Sequence, residues 1–127
     1  MTDRETVSTD EAPAAVGAYS QAVKANGFVF TAGQIPFTPD GEKVGGDIAE
    51  QAEQALENLE AVLEEAGSSL EDVVKVTVFL DDIGDFEDMN STYAGFFEGE
   101  PPARSAVEAG GLPKGVGVEI EAVAVTG

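Results

Sequence analysis

The chain has 127 residues, 25 of them acidic and six basic, for a formal net charge of -19. It contains neither histidine nor cysteine, which excludes a Ser-His-Asp triad, a Cys-His pair, a His/Cys zinc site and any disulfide framework. Apolar residues make up 43% and aromatic residues 7%, enough for a single domain over residues 1–127 with its own core, residues 1–12 forming a polar tail and first edge segment.

Acid–base chemistry is therefore left to Asp, Glu, Tyr, Lys or bound water. No EF-hand loop or comparable acidic motif occurs, so no metal site is predicted. The lysines Lys24, Lys43, Lys75 and Lys114 are dispersed. A phosphate backbone needs clustered cations, so nucleic acid is not an expected partner. The N-terminus lacks an apolar h-region and no stretch is apolar enough to span a bilayer, which makes the cytoplasm the expected location and a membrane an unexpected partner. A surface this acidic repels itself unless salt screens it, the Debye length falling to about 3 Å at molar salt. The composition thus predicts a salt-rich cytoplasm, as in a halophilic archaeon, against the alternative of an ordinary acidic cytosolic protein.

In chain order, residues 19–23 and 27–32 read as short strands, the second being the β-rich Phe28-Val29-Phe30-Thr31-Ala32. Pro36 and Pro39-Asp40-Gly41 mark loop and turn. A helix is predicted from Asp47 to Ala66, with Ile48, Ala52, Ala55, Leu56, Leu59, Val62 and Leu63 on one face. Asp47 and Glu50 resemble a capping box, and Gly67 is the natural stop. The glutamate-rich opposite face reads as solvated surface. Residues 73–80 form the clearest strand, with Val74, Val76, Val78 and Leu80 assigned to one face. A second helix starts at Asp85, and its stripe Phe86, Met89, Tyr93, Phe96 and Phe97 reads as core. Gly99 and Pro101-Pro102 end it. Strands at 104–109 and 117–125 close the chain.

The order β-β-α-β-α-β-β predicts an α+β fold, a mixed sheet with two helices on one face. The other face would remain apolar with no helix to cover it, and oligomerisation is the economical cover.

Arg104 is one of two arginines, and it leads into an apolar run. A guanidinium is well shaped to hold a carboxylate by two parallel hydrogen bonds. A small anionic ligand and an internal Arg–Glu pair both account for it. Glu119 and Glu121 share a face of the last strand. If the two closing strands pair, a carboxylate lies near Arg104, as either a salt bridge or half of a catalytic pair.

The segments Tyr19-Ser20-Gln21-Ala22, Thr31-Ala32-Gly33-Gln34-Ile35-Pro36, Lys75-Val76-Thr77-Val78-Phe79-Leu80, Asn90-Ser91-Thr92-Tyr93, Pro102-Ala103-Arg104-Ser105 and Glu119-Ile120-Glu121-Ala122 occur in an order and spacing that resemble the Rid family. These are the reactive intermediate (imine) deaminases, also called the YjgF family, and the resemblance runs from Ala12 to Val125. It implies a chorismate-mutase-like fold assembled as a homotrimer with ligand clefts between subunits. It also implies cofactor-independent hydrolysis of enamines and imines, such as 2-aminoacrylate, to 2-keto acids and ammonia, an activity of the 2-iminobutanoate/2-iminopropanoate deaminase type. The alternatives are a trimeric sensor of small carboxylates such as 2-keto acids and, less favoured, a ribonuclease or translation inhibitor.

Carried over residue by residue, the resemblance implies that Arg104 binds the substrate carboxylate and that Glu119 positions and activates the hydrolytic water. Tyr19 would line the cleft, Gly33 would let backbone approach the ligand, and Asn90 would lie near the site. Ala32 and Ala106 stand where many members carry serine and cysteine, so only their backbones would contribute there. Glu121 reads as structural.

Overall fold

The computed structural model describes residues 3–126. Its strands are β1 (Glu5–Val7), β2 (Ala22–Ala25), β3 (Phe28–Thr31), β4 (Val73–Leu80), β5 (Ala103–Glu108) and β6 (Val118–Val125), with helices α1 (Ile48–Glu65) and α2 (Phe86–Phe96). They build one mixed sheet of six strands in the order β1-β2-β3-β6-β4-β5, in which only the β4–β5 pair is parallel. One strand more is present than in the predicted β-β-α-β-α-β-β order, and it lies in the stretch expected to hold a tail and first edge segment. The polar N-terminal stretch adds β1 to the sheet edge because Val7 is buried there opposite Ala22.

The first helix follows its sequence signals. Asp47 Oδ1 accepts from the Glu50 amide at 2.9 Å, satisfying one of the unpaired donors of the first turn. Only this half of the capping box forms; the Glu50 carboxylate lies against Gly46 instead. At the far end Gly67 takes φ 84°, and the Gly67 and Ser68 amides bond back to Glu64 O and Leu63 O at 3.0 and 2.9 Å. That is a Schellman closure, which a left-handed glycine makes without strain. Ser68 Oγ then donates to Val125 O at 2.7 Å, tying the helix end to the last strand.

Leu56, Leu59, Val62 and Leu63 are fully buried against Val29, Val76, Val78, Leu80, Val118, Ile120 and Ala124. Burial of each such side chain contributes roughly 1.5–3 kcal/mol, so this single layer of contact holds helix and sheet together. The other sheet face carries no helix. It leaves Phe28, Phe30 and Val107 exposed beside half-buried Phe79, Val123 and Val125.

Two strand expectations change, and the condition that the closing strands pair is not met. Residues 19–21 lie in a loop, because the Gln21 side chain turns inward to bond Thr9 N, Thr9 O and Pro13 O at 2.6, 3.1 and 2.8 Å. Val74 does not join the buried row: a register shift between Val73 and Lys75 bulges it outward to 43% exposure. The closing strands are not neighbours. The 109–117 connection crosses the end of β4, bonding Ala109 N to Leu80 O at 2.8 Å and Asp81 N to Gly117 O at 3.0 Å. Strand β6 therefore inserts between β3 and β4, and β4 separates it from β5.

Gly67→Ala would force an L-residue into the left-handed region. It is expected to lower unfolding stability by about 1–2 kcal/mol, read from urea melts at constant high salt.

Candidate active site

Arg104 is the second residue of β5 and stands opposite Val76, a residue of the buried row, so its side chain projects on the helix side of the sheet. There its Nη1 donates to Asn90 Oδ1 at 2.6 Å, and its guanidinium carbon lies 4.7 Å from the Tyr93 ring centroid and 5.2 Å from that of Phe86. Arg104 and Asn90, joined in the sequence reading only by family resemblance, are thus in direct contact. The hydrogen-bond acceptor is an amide oxygen and not a carboxylate. Burial of the Tyr93 phenol pushes its pKa above the ordinary tyrosine value, with the Arg104 charge acting in the opposite direction.

Glu119 occupies a different place. It stands opposite Phe79 on β4, on the face away from the helices. The closing-strand pairing that would bring it to Arg104 is not formed: the two residues lie on opposite faces of the sheet, with β4 between their strands. The Glu119 side chain rests instead on Gly33, where an added Cβ would stand 2.7 Å from its carboxyl carbon. A side chain at 33 would displace the Glu119 carboxyl from this seat. Burial, with the negative charge of Glu121 second, raises the Glu119 pKa above the ordinary glutamate value.

The backbone around Gly33 departs from regular pairing. The β3–β6 register matches Phe30 with Val123, whereas Gln34 bridges Ile120, so the ladder gains one residue on the way. The Thr31 hydroxyl accepts from the Ala122 amide at 3.0 Å across this irregularity. Gln34 exchanges backbone bonds with Ile120 at 2.8 and 3.0 Å, which fixes the strand beside Glu119. Asn58, buried inside the apolar stripe of α1, donates to Ile35 O and Phe37 O at 3.0 and 2.9 Å and pins the next loop.

Tyr19 is 55% exposed on the loop before β2. Its neighbour Gln21 receives the Ala32 amide at 2.8 Å, which brings this loop to the end of the sheet that carries Gly33. The Ala32 amide is therefore engaged within the chain, and its carbonyl accepts from Gln34 Nε2 at 3.3 Å. Ala106 follows Arg104 on the same face of β5 and packs against the core. Among the described residues no cluster of three or more His, Cys, Asp or Glu is arranged to hold a metal ion, and no helix is long and apolar enough to cross a membrane.

Sequence reasoning assigned no role to Gln21, Gln34 or Asn58, the buried amides that set these loops. A polar residue interrupting an apolar pattern was the available signal. Phe86 was read as core, whereas its ring also lies beneath Arg104.

The Endoribonuclease L-PSP family profile matches residues 9–126. A rat protein named 2-iminobutanoate/2-iminopropanoate deaminase is 49% identical over 125 residues, covering 98% of this chain and 91% of its own. The crystal structure of yeast Mmf1 superposes with a TM-score of 0.97 at 48% identity, over 98% of this chain and 100% of that one. TdcF from Escherichia coli, solved with bound serine, has a TM-score of 0.92 at 41% identity, over 97% and 99% of the two chains. The chain belongs to the Endoribonuclease L-PSP family, the Rid or YjgF family whose motifs its sequence carries.

Proposed function

We propose that this protein hydrolyses small enamines and imines, such as 2-aminoacrylate and 2-imino acids, to 2-keto acids and ammonia. The observation that carries the reading is the Glu119 carboxyl seated on the Gly33 backbone with a raised proton affinity, which suits a group that takes and returns a proton. The 49% identity to a protein named as such a deaminase supports it.

Arg104 and Glu119 lie on opposite sheet faces of one chain, so a site using both takes them from different subunits. A homotrimer with clefts between subunits meets this need and covers the apolar sheet face that carries Phe28, Phe30 and Val107. In such a cleft Arg104, held by Asn90, binds the substrate carboxylate. Glu119, Gly33 and the exposed Tyr19 come from the neighbouring subunit. Ala32 and Ala106 leave room where a larger side chain would stand, and their backbones line the cleft.

The chemistry balances without a cofactor. A proton added at the terminal carbon of the enamine gives the iminium. Water then attacks the iminium carbon as Glu119 accepts its proton, and the C=N bond becomes C–N. Return of that proton to nitrogen makes it a leaving group. The C–N bond breaks as the hydroxyl gives its proton to the Glu119 carboxylate and C=O forms; that proton replaces the one added at carbon, and the products are a 2-keto acid and ammonia. The iminium carbon is already electrophilic, so an oriented water and one carboxylate supply the catalysis.

A second reading, a sensor of small carboxylates, draws on the relative TdcF, whose structure holds serine. RNA cleavage is disfavoured because a net charge of -19 opposes a phosphate backbone.

With imines generated by an amino-acid oxidase in molar salt, the protein is expected to accelerate their loss, and Arg104→Ala to reduce the acceleration by about 100-fold or more. Keto-acid binding without acceleration decides for the sensor. A shared site makes a second prediction: Arg104→Ala and Glu119→Gln chains, each inactive alone, regain about a quarter of wild-type activity when refolded together as mixed trimers. No regain would mean that one chain supplies both groups or that the two do not act together.

The raised Glu119 pKa also fixes a sign. Its folded pKa exceeds its unfolded value, so the carboxylate costs stability as pH rises from the ordinary glutamate range through the folded pKa. Glu119→Gln is therefore expected to melt higher than wild type at neutral pH, with the difference shrinking on acidification, as followed by thermal scans across pH.

A further inference from the structure

The helix side of Arg104 is built from a single stripe of α2. Phe86, Asn90 and Tyr93 follow at spacings of four and three residues, which places them in line on one helix face. The guanidinium carbon stands 5.2 and 4.7 Å from the two ring centroids, inside the range of roughly 6 Å over which a ring face attracts a cation. Tyr93 is held in turn by stacking on Phe97, their centroids 4.6 Å apart, and is only 4% exposed. Asn90 Oδ1 takes Nη1 between the two rings along the helix.

All three partners are uncharged, in a chain where 25 of 127 residues are acidic. An aspartate or glutamate would orient the guanidinium equally well. It would also cancel the charge that an anionic ligand needs, and such a ligand would then have to displace an ion pair. Two ring faces and an amide oxygen fix the direction of the guanidinium without neutralising it.

We propose that Phe86 and Tyr93 are positioning residues, forming with Asn90 a charge-neutral cradle that fixes the Arg104 guanidinium and keeps its charge available to a small carboxylate ligand. The inference rests on the reading of Arg104 as a carboxylate clamp. The Tyr93 hydroxyl is buried beside Arg104, and the positioning is assigned to the ring, whose centroid is 4.7 Å from the guanidinium carbon.

The test uses the full chain, with pyruvate as probe, calorimetry for affinity and 15N NMR for Arg104. Protons over an aromatic face are shielded, so the wild-type Arg104 Nε–H resonance is expected upfield of an ordinary arginine. Phe86→Leu and Tyr93→Leu should each move it downfield and weaken pyruvate binding about tenfold. The aromatic replacements Phe86→Tyr and Tyr93→Phe should preserve both readouts. Asn90→Asp should weaken binding more than Asn90→Ala, since the added charge neutralises the clamp.

The cradle is overturned if the leucine variants leave resonance and affinity unchanged while Arg104→Ala abolishes binding; the clamp reading then stands alone. Loss of binding in Tyr93→Phe would assign the work to the hydroxyl and overturn it as well. Undiminished pyruvate binding by Arg104→Ala removes the clamp reading itself, and the cradle's purpose with it. Where a leucine variant fails to fold, an unshifted wild-type Arg104 resonance is sufficient to overturn the cradle.

Discussion

Strand β6 lies between β3 and β4, and both the core and the site depend on that placement. Inserted there, β6 lends Val118, Ile120, Ala122 and Ala124 to the layer beneath α1 and sends Glu119 and Glu121 to the opposite face. It also forces β5 to the sheet edge, reached through α2, so that Arg104 stands where helix and sheet rim meet. An alternating strand can serve a dry face and a polar face at once because its side-chain period is two. The eight residues of β6 use both, with every second residue buried.

The polar frame around these groups is made of neutral amides. Gln21 ties the loop before β2 to Thr9 and Pro13, Asn58 ties the loop after Gly33 to α1, and Asn90 ties Arg104 to α2. Buried amides with satisfied partners fix backbone geometry without adding charge to a molecule that already carries a net -19. A buried carboxylate in their place would face the repulsion that raises the pKa of Glu57 after burial itself, beside Glu53 and Glu60.

Where the sequence was legible, the signal was local. The bounds of β4 and the cap and stop of α1 follow from apolar spacing, one aspartate and one glycine, none of which needs knowledge of distant segments. The neighbour relations were not legible in the same way. The short Gly- and Pro-containing connection allowed the closing strands to pair without requiring it, and its hydrogen bonds go to Leu80 and Asp81 at the end of β4. Nothing in the spacing of residues 109–117 distinguishes a turn back from a step across. Phe86 was ambiguous for another reason: period 3.6 reports that a ring faces inward, and is silent on whether it meets a leucine or a guanidinium. Val74 belonged by pattern to the buried row, and only the partner strand reveals the bulge that expels it.

The neutral surroundings of Arg104 bear on how such a protein can change its environment. Acidic residues can be added over α1 and the loops without entering the contacts among Phe86, Asn90, Tyr93 and Arg104, because none of those contacts includes a carboxylate. Screening ions that reach the exterior likewise find no ion pair among the described residues to weaken there. Surface charge and the packing around Arg104 are thereby insulated from each other. The exterior is free to drift in composition while the same guanidinium stays on the same two rings.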